Sequence, residues 1–267
     1  MADDLQHLGV RPSKSRGQSF LVDEGVARRQ VLAARLGPGQ EVMEIGGGLG
    51  ILTVQLARTG ASVRVIEVEP ALATHLRSLD LPGVAVEEAD ALGAPWGHPQ
   101  KIVANIPYSL SSQLVERMVR QGPGTCVLLL QREFAERLAA RPGTKSWSRL
   151  AALVQRDYAV EILEVVPRNA FSPQPVVQSA VIRIARRETA DAAGFEKYAE
   201  LVGALFAHRR KKIRNSLPAA AALFSISAAE AVEEAERMGL AQRRPEEISC
   251  ADFDALAKAL AGRRTHK

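Results

Sequence analysis

Cysteine is scarce in this sequence, with two residues among 267. Cys126 lies in the apolar run TCVLLL and Cys250 precedes a helical pattern, so neither belongs to a CxxC pair, and the five histidines are scattered. Disulfide frameworks and zinc sites need paired or clustered ligands. We therefore expect free thiols in a reducing compartment and no metal site.

Long apolar runs are also absent. No segment approaches the roughly 18 apolar residues of a membrane-spanning helix. The N-terminal stretch MADDLQHLGVRPSKSRGQ has no apolar core of the kind found in signal peptides. These absences predict a soluble cytoplasmic protein with no membrane partner.

Aromatic residues make up only 4% of the chain, and acidic residues are outnumbered by basic ones, 30 to 35. A pI of about 9.5 suggests an anionic partner if the basic excess is clustered. In HRRKKIR, at 208–214, five of seven residues are Lys or Arg and none is acidic. A charge run is usually only a solvated face, but this one favours phosphate contact. The candidate phosphate-contacting residues, which would bind a nucleic acid such as RNA, are Arg209, Arg210, Lys211, Lys212 and Arg214.

A glycine turn follows an early strand pattern in EVMEIGGGLGILTVQLA and leads into an amphipathic helix. Glycines let a backbone turn sharply and approach a ligand closely. The next strand pattern, SVRVIEVEP, carries Glu67 at its end, 21 positions after Gly46. That is about the spacing at which a strand-end acid reaches a ribose in nucleotide-binding βαβ units. The pattern predicts a nucleoside ligand, and its candidate binding residues are Gly46, Gly48, Gly50 and Glu67.

Two further acids refine the choice of ligand. Glu44 precedes the first glycine by two residues, where a carboxylate would repel a pyrophosphate and suit a cationic amino group. This favours S-adenosylmethionine over NAD, although Glu44 could instead pair with a helix or cap a turn. Asp90 ends the strand pattern VAVEEAD and could accept a hydrogen bond from an adenine amine.

The segment KIVANIPYSLSS reads as a buried strand, a tight polar turn and a helix start. Pro107 ends the strand, which leaves Asn105 and Tyr108 at its carboxyl edge, where parallel sheets bind ligands. An amide and an aromatic there suggest chemistry on a nucleobase. The alternative is an ordinary turn in which Ser109 caps the helix.

A second candidate segment is FSPQP, in which Pro173 and Pro175 stiffen a loop and Phe171 forms a stacking surface. The alternative places Phe171 in the core. The candidate catalytic residues are Asn105, Ile106, Pro107, Tyr108 and Phe171.

Seven strand patterns, with helices alternating early and a hairpin of YAVEILEVV and QSAVIRIA late, predict an α/β doubly wound sheet closed by an antiparallel pair. Beyond residue 187 the sequence is Ala-rich and helical. We therefore predict two domains, 1–187 and a small all-helical 188–267. Predicted helices include 20–35, 195–214 and a last one that begins at a Ser249/Asp252 capping pair and ends at Gly262. No apolar helical face is left over, so a monomer is expected.

Several motifs in order along the chain resemble the ribosomal RNA adenine dimethyltransferases of the KsgA type. They are GQSFLVD, EIGGGLGILT, NIPYSLSS, PGTKSWSRL, AFSPQPVVQSAVIRI and RRKKIRNSL. The resemblance implies a Rossmann-like S-adenosylmethionine-dependent methyltransferase domain and a role in ribosome biogenesis. It also implies dimethylation of the exocyclic N6 amines of two adjacent adenosines in a small-subunit rRNA hairpin, within a pre-ribosomal particle.

Carried over by position, the resemblance assigns Gln18, Ser19 and Leu21 to the donor site. It assigns Glu67 to the ribose and Asp90 to the adenine amine of the donor, with Asn105 shared by the donor and target sites; the Gly46 turn takes the amino acid part. For the adenine target that the resemblance implies, the hypothesis for catalysis is that the Asn105 side-chain oxygen and the Ile106 carbonyl accept the two N–H groups of the target amine. The sequence departs from the family pattern at three positions: Ser19 replaces Asn or His, Gly47 replaces Pro, and Arg168 replaces Pro.

Three rival functions remain. The basic segment would also suit a non-catalytic RNA-binding assembly or transcription factor, but the donor and NIPY residues are intact. A large-subunit rRNA methylase of the antibiotic-resistance type is disfavoured by the long C-terminal resemblance. An NAD-dependent enzyme is disfavoured by Glu44 and NIPY.

Overall fold

The structure, a computed structural model, describes residues 19–191 and 193–263. Its strands are β1 Phe20–Leu21, β2 Glu41–Ile45, β3 Ser62–Glu67, β4 Val84–Glu88, β5 Lys101–Asn105, β6 Thr125–Gln131, β7 Tyr158–Val166, β8 Phe171–Ser172 and β9 Ser179–Arg186. Its helices are α1 Glu24–Ala34, α2 Ile51–Ala57, α3 Pro70–Ser78, α4 Ser111–Gln121, α5 Arg132–Leu138, α6 Arg149–Asp157, α7 Phe195–Phe206, α8 Ile213–Ser216, α9 Ala228–Arg237 and α10 Cys250–Gly262.

Seven strands form one sheet in the order β4-β3-β2-β5-β6-β9-β7. The ladders from β4 to β6 are parallel, and β9 runs antiparallel to β6. The apolar residues of β5 are buried on both faces, as parallel strands covered by helices require. The predicted doubly wound sheet is confirmed, and the two strands of the predicted late hairpin, β7 and β9, are neighbours at its edge.

The chain folds as two compact units. Among the described residues, one contains 19–135 and Ala159–Arg186, which include the sheet apart from Tyr158. The other contains Glu136–Tyr158, 187–191 and 193–263, and is helical. A cut at Arg186 lies beside the boundary predicted at 187, but residues 136–158 group with the C-terminal helices.

A buried guanidinium on α6 contacts two other helices of the helical unit. Arg156 pairs with Asp157 at 3.0 Å and with Asp254 of α10 at 2.9 Å, and its side chain is 5% exposed. It also lies 5.2 Å from the ring centroid of Tyr198, whose hydroxyl donates to the Ala152 carbonyl at 2.9 Å. A buried charge without these partners would be costly, so contacts between α6, α7 and α10 keep the Arg156 charge compensated.

The C-terminal helices confirm one prediction and correct another. The capping box between Ser249 and Asp252 is present, and α10 ends at Gly262. The helix predicted over 195–214 is wrong, because α7 ends at Phe206. The N–H groups of Ile213 and Arg214 bind the carbonyls of residues 243 and 241 at 2.8 and 3.0 Å, so they are unavailable to continue α7.

The predicted start of the first helix is also wrong. Phe20 and Leu21 form β1, which pairs antiparallel with β8, instead of entering the helix. Asp23 is the N-cap of α1, since its Oδ1 accepts from the N–H groups of Gly25 and Val26 at 2.8 and 3.2 Å. The carboxylate therefore ends the strand and begins the helix.

The glycine turn after β2 is a tightly packed corner. Gly46, Gly48 and Gly50 have φ values of 74°, 54° and 85°, which other residues rarely adopt. Gly47 is constrained by space instead, because a Cβ there would lie 2.7 Å from both Val65 Cγ1 and Leu76 Cδ1. Any side chain at position 47, where the expected residue is Pro, would therefore collide with two fully buried neighbours, Val65 and Leu76.

One carboxyl group is buried in β2 itself. Glu44 is 1% exposed, and neither its Oε2 nor the hydroxyl of nearby Thr53 has a hydrogen-bond partner of good geometry among the described residues. Burial raises the pKa of Glu44 from an ordinary 4.5 to about 8; the Thr53 hydroxyl opposes the rise and the Glu67 carboxylate adds to it. Glu44 is therefore mostly protonated at neutral pH in the ligand-free protein.

We expect Gly47→Ala to lower the free energy of unfolding by about 1–3 kcal/mol, since the new methyl group overpacks a closed corner. Adding Leu76→Ala removes both Cδ atoms and relieves part of the clash. The double variant should therefore lose over about 0.5 kcal/mol less unfolding free energy than the two single variants lose together. Gly37→Ala is the control, because a Cβ there meets nothing within 4 Å. Chemical denaturation measures all four; strictly additive losses would contradict the overpacking.

A second prediction concerns pH. The folded state holds a proton on Glu44 between about pH 4.5 and 8 that the unfolded chain has released, so this group's contribution to stability is complete below pH 4.5 and is lost as pH rises toward 8. Glu44→Gln cannot ionise. We expect the stability of the variant relative to the natural chain to rise by over about 1.4 kcal/mol, one pKa unit, from pH 5 to pH 8.5. A constant difference between the two proteins across this range would disprove the raised pKa.

Candidate active site

A cleft opens at the carboxyl ends of the parallel strands β2 to β6, where the strand ladders stop. Its empty space, which includes open solvent at the mouth, is about 1050 Å³. The predicted site residues that line it are Ser19, Leu21, Gly46, Gly48, Glu67, Asp90, Asn105, Ile106, Pro107, Tyr108 and Phe171.

The Glu67 carboxylate is fixed at the end of β3 by two backbone donors. Its Oε2 accepts from the Gly48 N–H at 3.0 Å and its Oε1 from the Glu69 N–H at 3.0 Å. The first bond joins the strand-end acid to the glycine turn, which accounts for the spacing seen in the sequence. A buried acceptor held this rigidly suits a ligand with paired hydroxyl groups.

Asp90 follows β4 and is exposed at the same edge. Its Oδ1 accepts from the Leu92 N–H at 2.9 Å, within its own loop. Beside it, Val68 lines the cleft with 59% of its surface exposed, and Phe20 and Ala91 also line the cleft. Sequence reasoning missed these three apolar residues; for Val68, the position directly after a strand-end acid was an available signal.

Asn105 ends β5 with an unpaired acceptor. Its Oδ1 is buried and has no hydrogen-bond partner among the described residues. Ile106 donates its own N–H to the Leu129 carbonyl at 3.3 Å, which fixes the peptide on the floor of the cleft. Buried acceptors without donors are rare, so this oxygen is suited to an N–H group of a ligand.

Tyr108 lies in a short 3-10 turn before α4. Its hydroxyl is 2.6 Å from Ser179 Oγ of β9. Burial raises the pKa of Tyr108 above its ordinary value, while the bond to Ser179 opposes the rise. The ring is therefore neutral and anchored. The alternative with Ser109 as helix cap is not observed, since the N-cap of α4 is Leu110.

Phe171 satisfies parts of both sequence interpretations. It is 4% exposed, belongs to the hydrophobic core and pairs through β8 with Leu21. It also lines the cleft. The loop after it contains a buried Pro175, so the aromatic side chain lies on a fixed support.

Other predicted residues are not brought to the cleft. Glu44 and Gly50 do not line it, and Gln18 lies outside the described residues. In the helical unit, Arg209 pairs with Glu246 at 3.0 Å, and Lys212 Nζ binds Gln242 at 2.9 Å. Three other basic residues are exposed there: Arg210, Lys211 and Arg214.

Neither a metal centre nor a membrane span is present in the part of the chain that the structure describes. Within 19–191 and 193–263, no group of three or more His, Cys, Asp or Glu side chains is placed to hold a metal ion. Nor does any helix in these two ranges have the length and apolar character needed to cross a membrane.

Comparison with known proteins adds sequence relatives. The family model "Ribosomal RNA adenine dimethylase" matches residues 10–248. A probable ribosomal RNA small subunit methyltransferase A from Natronomonas pharaonis is 38% identical over 262 residues, 95% of this chain and 94% of that protein. The ribosomal RNA small subunit methyltransferase A of Thermotoga maritima is 38% identical over 219 residues, 81% of this chain and 78% of that protein.

Two solved structures resemble the fold. A dimethyladenosine transferase from Plasmodium falciparum superposes with a TM-score of 0.80 at 24% identity, covering 89% of this chain and 95% of that one. The 23S rRNA methyltransferase ErmE gives a TM-score of 0.66 at 30% identity, covering 90% and 99%. The match of the family model to most of the chain confirms the resemblance found in its motifs: the chain belongs to the ribosomal RNA adenine dimethylase family.

Proposed function

We propose that this chain transfers methyl groups from S-adenosylmethionine to the N6 amines of two adjacent adenosines in a small-subunit rRNA hairpin. Family membership and relatives named small subunit methyltransferase A support the reaction class and the rRNA subunit. The observation that carries the chemistry is the buried, unpaired Oδ1 of Asn105 at the cleft. An acceptor in that place suits an exocyclic amine, which has two N–H groups to donate.

The donor half of the cleft fits S-adenosylmethionine. Glu67 would accept hydrogen bonds from the ribose hydroxyls, and Asp90 would accept one from the adenine N–H. The exposed Val68 side chain would pack against the flat base. When bound, S-adenosylmethionine supplies an electrophilic methyl group on a positively charged sulfur. Glu44 does not line the cleft and is mostly protonated at neutral pH in the ligand-free protein, so it presents no carboxylate charge to the donor there.

The target half of the cleft activates a poor nucleophile by orientation. An adenine amine is planar because its lone pair is delocalised into the ring. Two acceptors, Asn105 Oδ1 and the Ile106 carbonyl, would hold both N–H groups and aim the lone pair toward the donor. Tyr108 and Phe171 would stack on the base once it is turned out of its helix. Tyr108 stays protonated and takes no proton; the proton of the methylated amine leaves to solvent.

RNA contact is assigned to the exposed part of the basic segment in the helical unit. Arg210, Lys211 and Arg214 have no acidic partner within the described residues, whereas Arg209 is held by Glu246. The three exposed side chains are therefore free to neutralise phosphates. The proposed partner is small-subunit rRNA in a pre-ribosomal particle, bound by a cytoplasmic monomer.

A second candidate function has one observation in its favour. The likeness to the 23S rRNA methyltransferase ErmE, at 30% identity, keeps a large-subunit target open. Relatives named for the small subunit are 38% identical over most of their length, so the small subunit is preferred. A non-catalytic assembly factor would have no use for the unpaired oxygen of Asn105.

The test of the reaction is mass spectrometry of rRNA from under-methylated small and large subunits incubated with labelled S-adenosylmethionine. The natural chain should form dimethyladenosine at two adjacent small-subunit positions. Asn105→Ala should reduce the rate at least about 100-fold, because it removes an oriented acceptor, and should leave RNA affinity unchanged. Asn169→Ala, which removes an exposed amide, is the control. An active Asn105→Ala protein would refute the catalytic role of Asn105. Label found in large-subunit rRNA alone would refute the small-subunit target.

The RNA-contact assignment is tested by a triple variant, Arg210→Ala, Lys211→Ala and Arg214→Ala. Affinity for small-subunit rRNA should fall, and the slope of log affinity against log salt should decrease by roughly 0.9 for each phosphate that the variant no longer neutralises. Binding of S-adenosylhomocysteine should not change. The control, Lys197→Ala with Lys258→Ala, removes lysines already paired with Glu200 and Asp254. Equal slopes for both variants would exclude a phosphate-binding role.

A further inference from the structure

The loop from Asp90 to Trp96 carries the acid assigned to the donor adenine, yet it has no regular secondary structure. Asp90 and Ala91 line the cleft. The backbone of the loop turns tightly, since the Asp90 carbonyl accepts from the N–H groups of Gly93 and Ala94 at 2.9 and 2.8 Å. Its remaining carbonyls need donors from elsewhere.

Two arginines supply those donors. Arg117 of α4 donates to the carbonyls of Ala91, at 2.7 Å, and of Leu92 and Ala94. Arg64 of β3 donates to the carbonyls of the next two loop residues, Pro95 at 2.7 Å and Trp96 at 2.9 Å. Five carbonyls of the loop, those of residues 91, 92 and 94–96, therefore have guanidinium partners. Only arginine presents donors in a planar fork that can reach several acceptors at once.

The indole of Trp96 completes the arrangement. The Arg117 guanidinium lies over the indole ring, 4.5 Å from its centroid, and Trp96 is 3% exposed. Trp96 Nε1 donates to the same Ala91 carbonyl that Arg117 binds, at 2.9 Å. The Arg117 guanidinium thus lies over the indole ring of Trp96 and donates to loop carbonyls, and the indole N–H joins the two ends of the loop through the Ala91 carbonyl.

The two arginines differ in their further contacts. Arg64 also pairs with a carboxylate, that of Glu87, at 2.5 Å. Arg117 binds the three carbonyls and the indole face, so its guanidinium is directed at the loop. Its position on α4 also matters, since this helix begins just after the NIPY segment. Arg117 consequently joins the loop that carries Asp90 to the helix that follows Asn105.

We propose that Arg117, supported by Trp96, is a positioning residue for the donor adenine: it holds the loop so that Asp90 meets the adenine amine, and thereby sets the preference for an amino base. This inference rests on the proposed function, because it takes the donor to be S-adenosylmethionine. Arg117 touches neither donor nor target. It acts through the Asp90 carboxylate.

The test compares two ligands by calorimetry: S-adenosylhomocysteine, and S-inosylhomocysteine, in which a carbonyl replaces the adenine amine. A hydrogen bond to a charged acceptor gives about 10- to 100-fold preference for the amino base in the natural chain. Arg117→Met should bring the ratio of the two affinities close to one. Arg117→Lys should recover only part of it, since an ammonium lacks the fork. Arg120→Met, on the same helix, is the control and should keep the full ratio.

Two further variants separate positioning from a general loss of structure. Trp96→Phe keeps the packing but removes the Nε1 donor, and should lower the ratio partly without unfolding the protein. Asp90→Ala should remove the preference in the natural chain and have little further effect in Arg117→Met, since both act on one contact.

Each result has a distinct meaning. If Arg117→Met lowers both affinities equally and keeps their ratio, Arg117 is structural only and the inference is overturned. The same holds if the effects of Asp90→Ala and Arg117→Met on the ratio are additive. If the natural chain binds neither ligand, it is the proposed function that fails.

Discussion

The site depends on one constraint: a parallel ladder stops at the same level in neighbouring strands, so the residues that end those strands meet at one edge. Glu67 ends β3, Asp90 follows β4 and Asn105 ends β5, although 38 positions separate the first from the last in the sequence. The register of β3 against β4 sets Glu67 opposite Glu88, two residues before Asp90. The placement of the polar groups thus comes from backbone hydrogen bonds before any side chain is considered.

Around that edge, turns are held by side chains rather than by further ladder. The Glu67 carboxylate holds the glycine turn and the Arg117 guanidinium holds the loop after Asp90. Both turns are short of backbone partners, and both obtain them from charged groups that lie partly or wholly out of water. A charged partner gives a stronger hydrogen bond than a neutral one. The cleft is consequently built from rigid pieces before a ligand arrives.

Much of this was predictable from the sequence because it depends on local patterns. The apolar runs of β5 and β6, the turn glycines and the Ser249/Asp252 cap follow from periodicity and capping chemistry. The sequence could not show that Phe20 and Leu21 pair with β8, because that pairing joins segments 150 residues apart. For the same reason it could not show that residues 213 and 214 do not continue α7, since their backbone N–H groups bind the carbonyls of residues 243 and 241. Arg117 and Trp96 belong to no recognisable sequence motif, so their contacts with the loop after Asp90 could not be predicted.

The unpaired oxygen of Asn105 has a consequence for product release under the proposed reaction. An unmodified adenine amine donates two N–H bonds, a monomethylated amine donates one and a dimethylated amine donates none. The pair of acceptors, Asn105 Oδ1 and the Ile106 carbonyl, therefore binds the base less tightly with each methyl group added. The monomethylated intermediate still donates one hydrogen bond and so is retained more strongly than the dimethylated product, which leaves both oxygens without a donor. The atoms that orient the amine thus also make the affinity depend on the number of methyl groups.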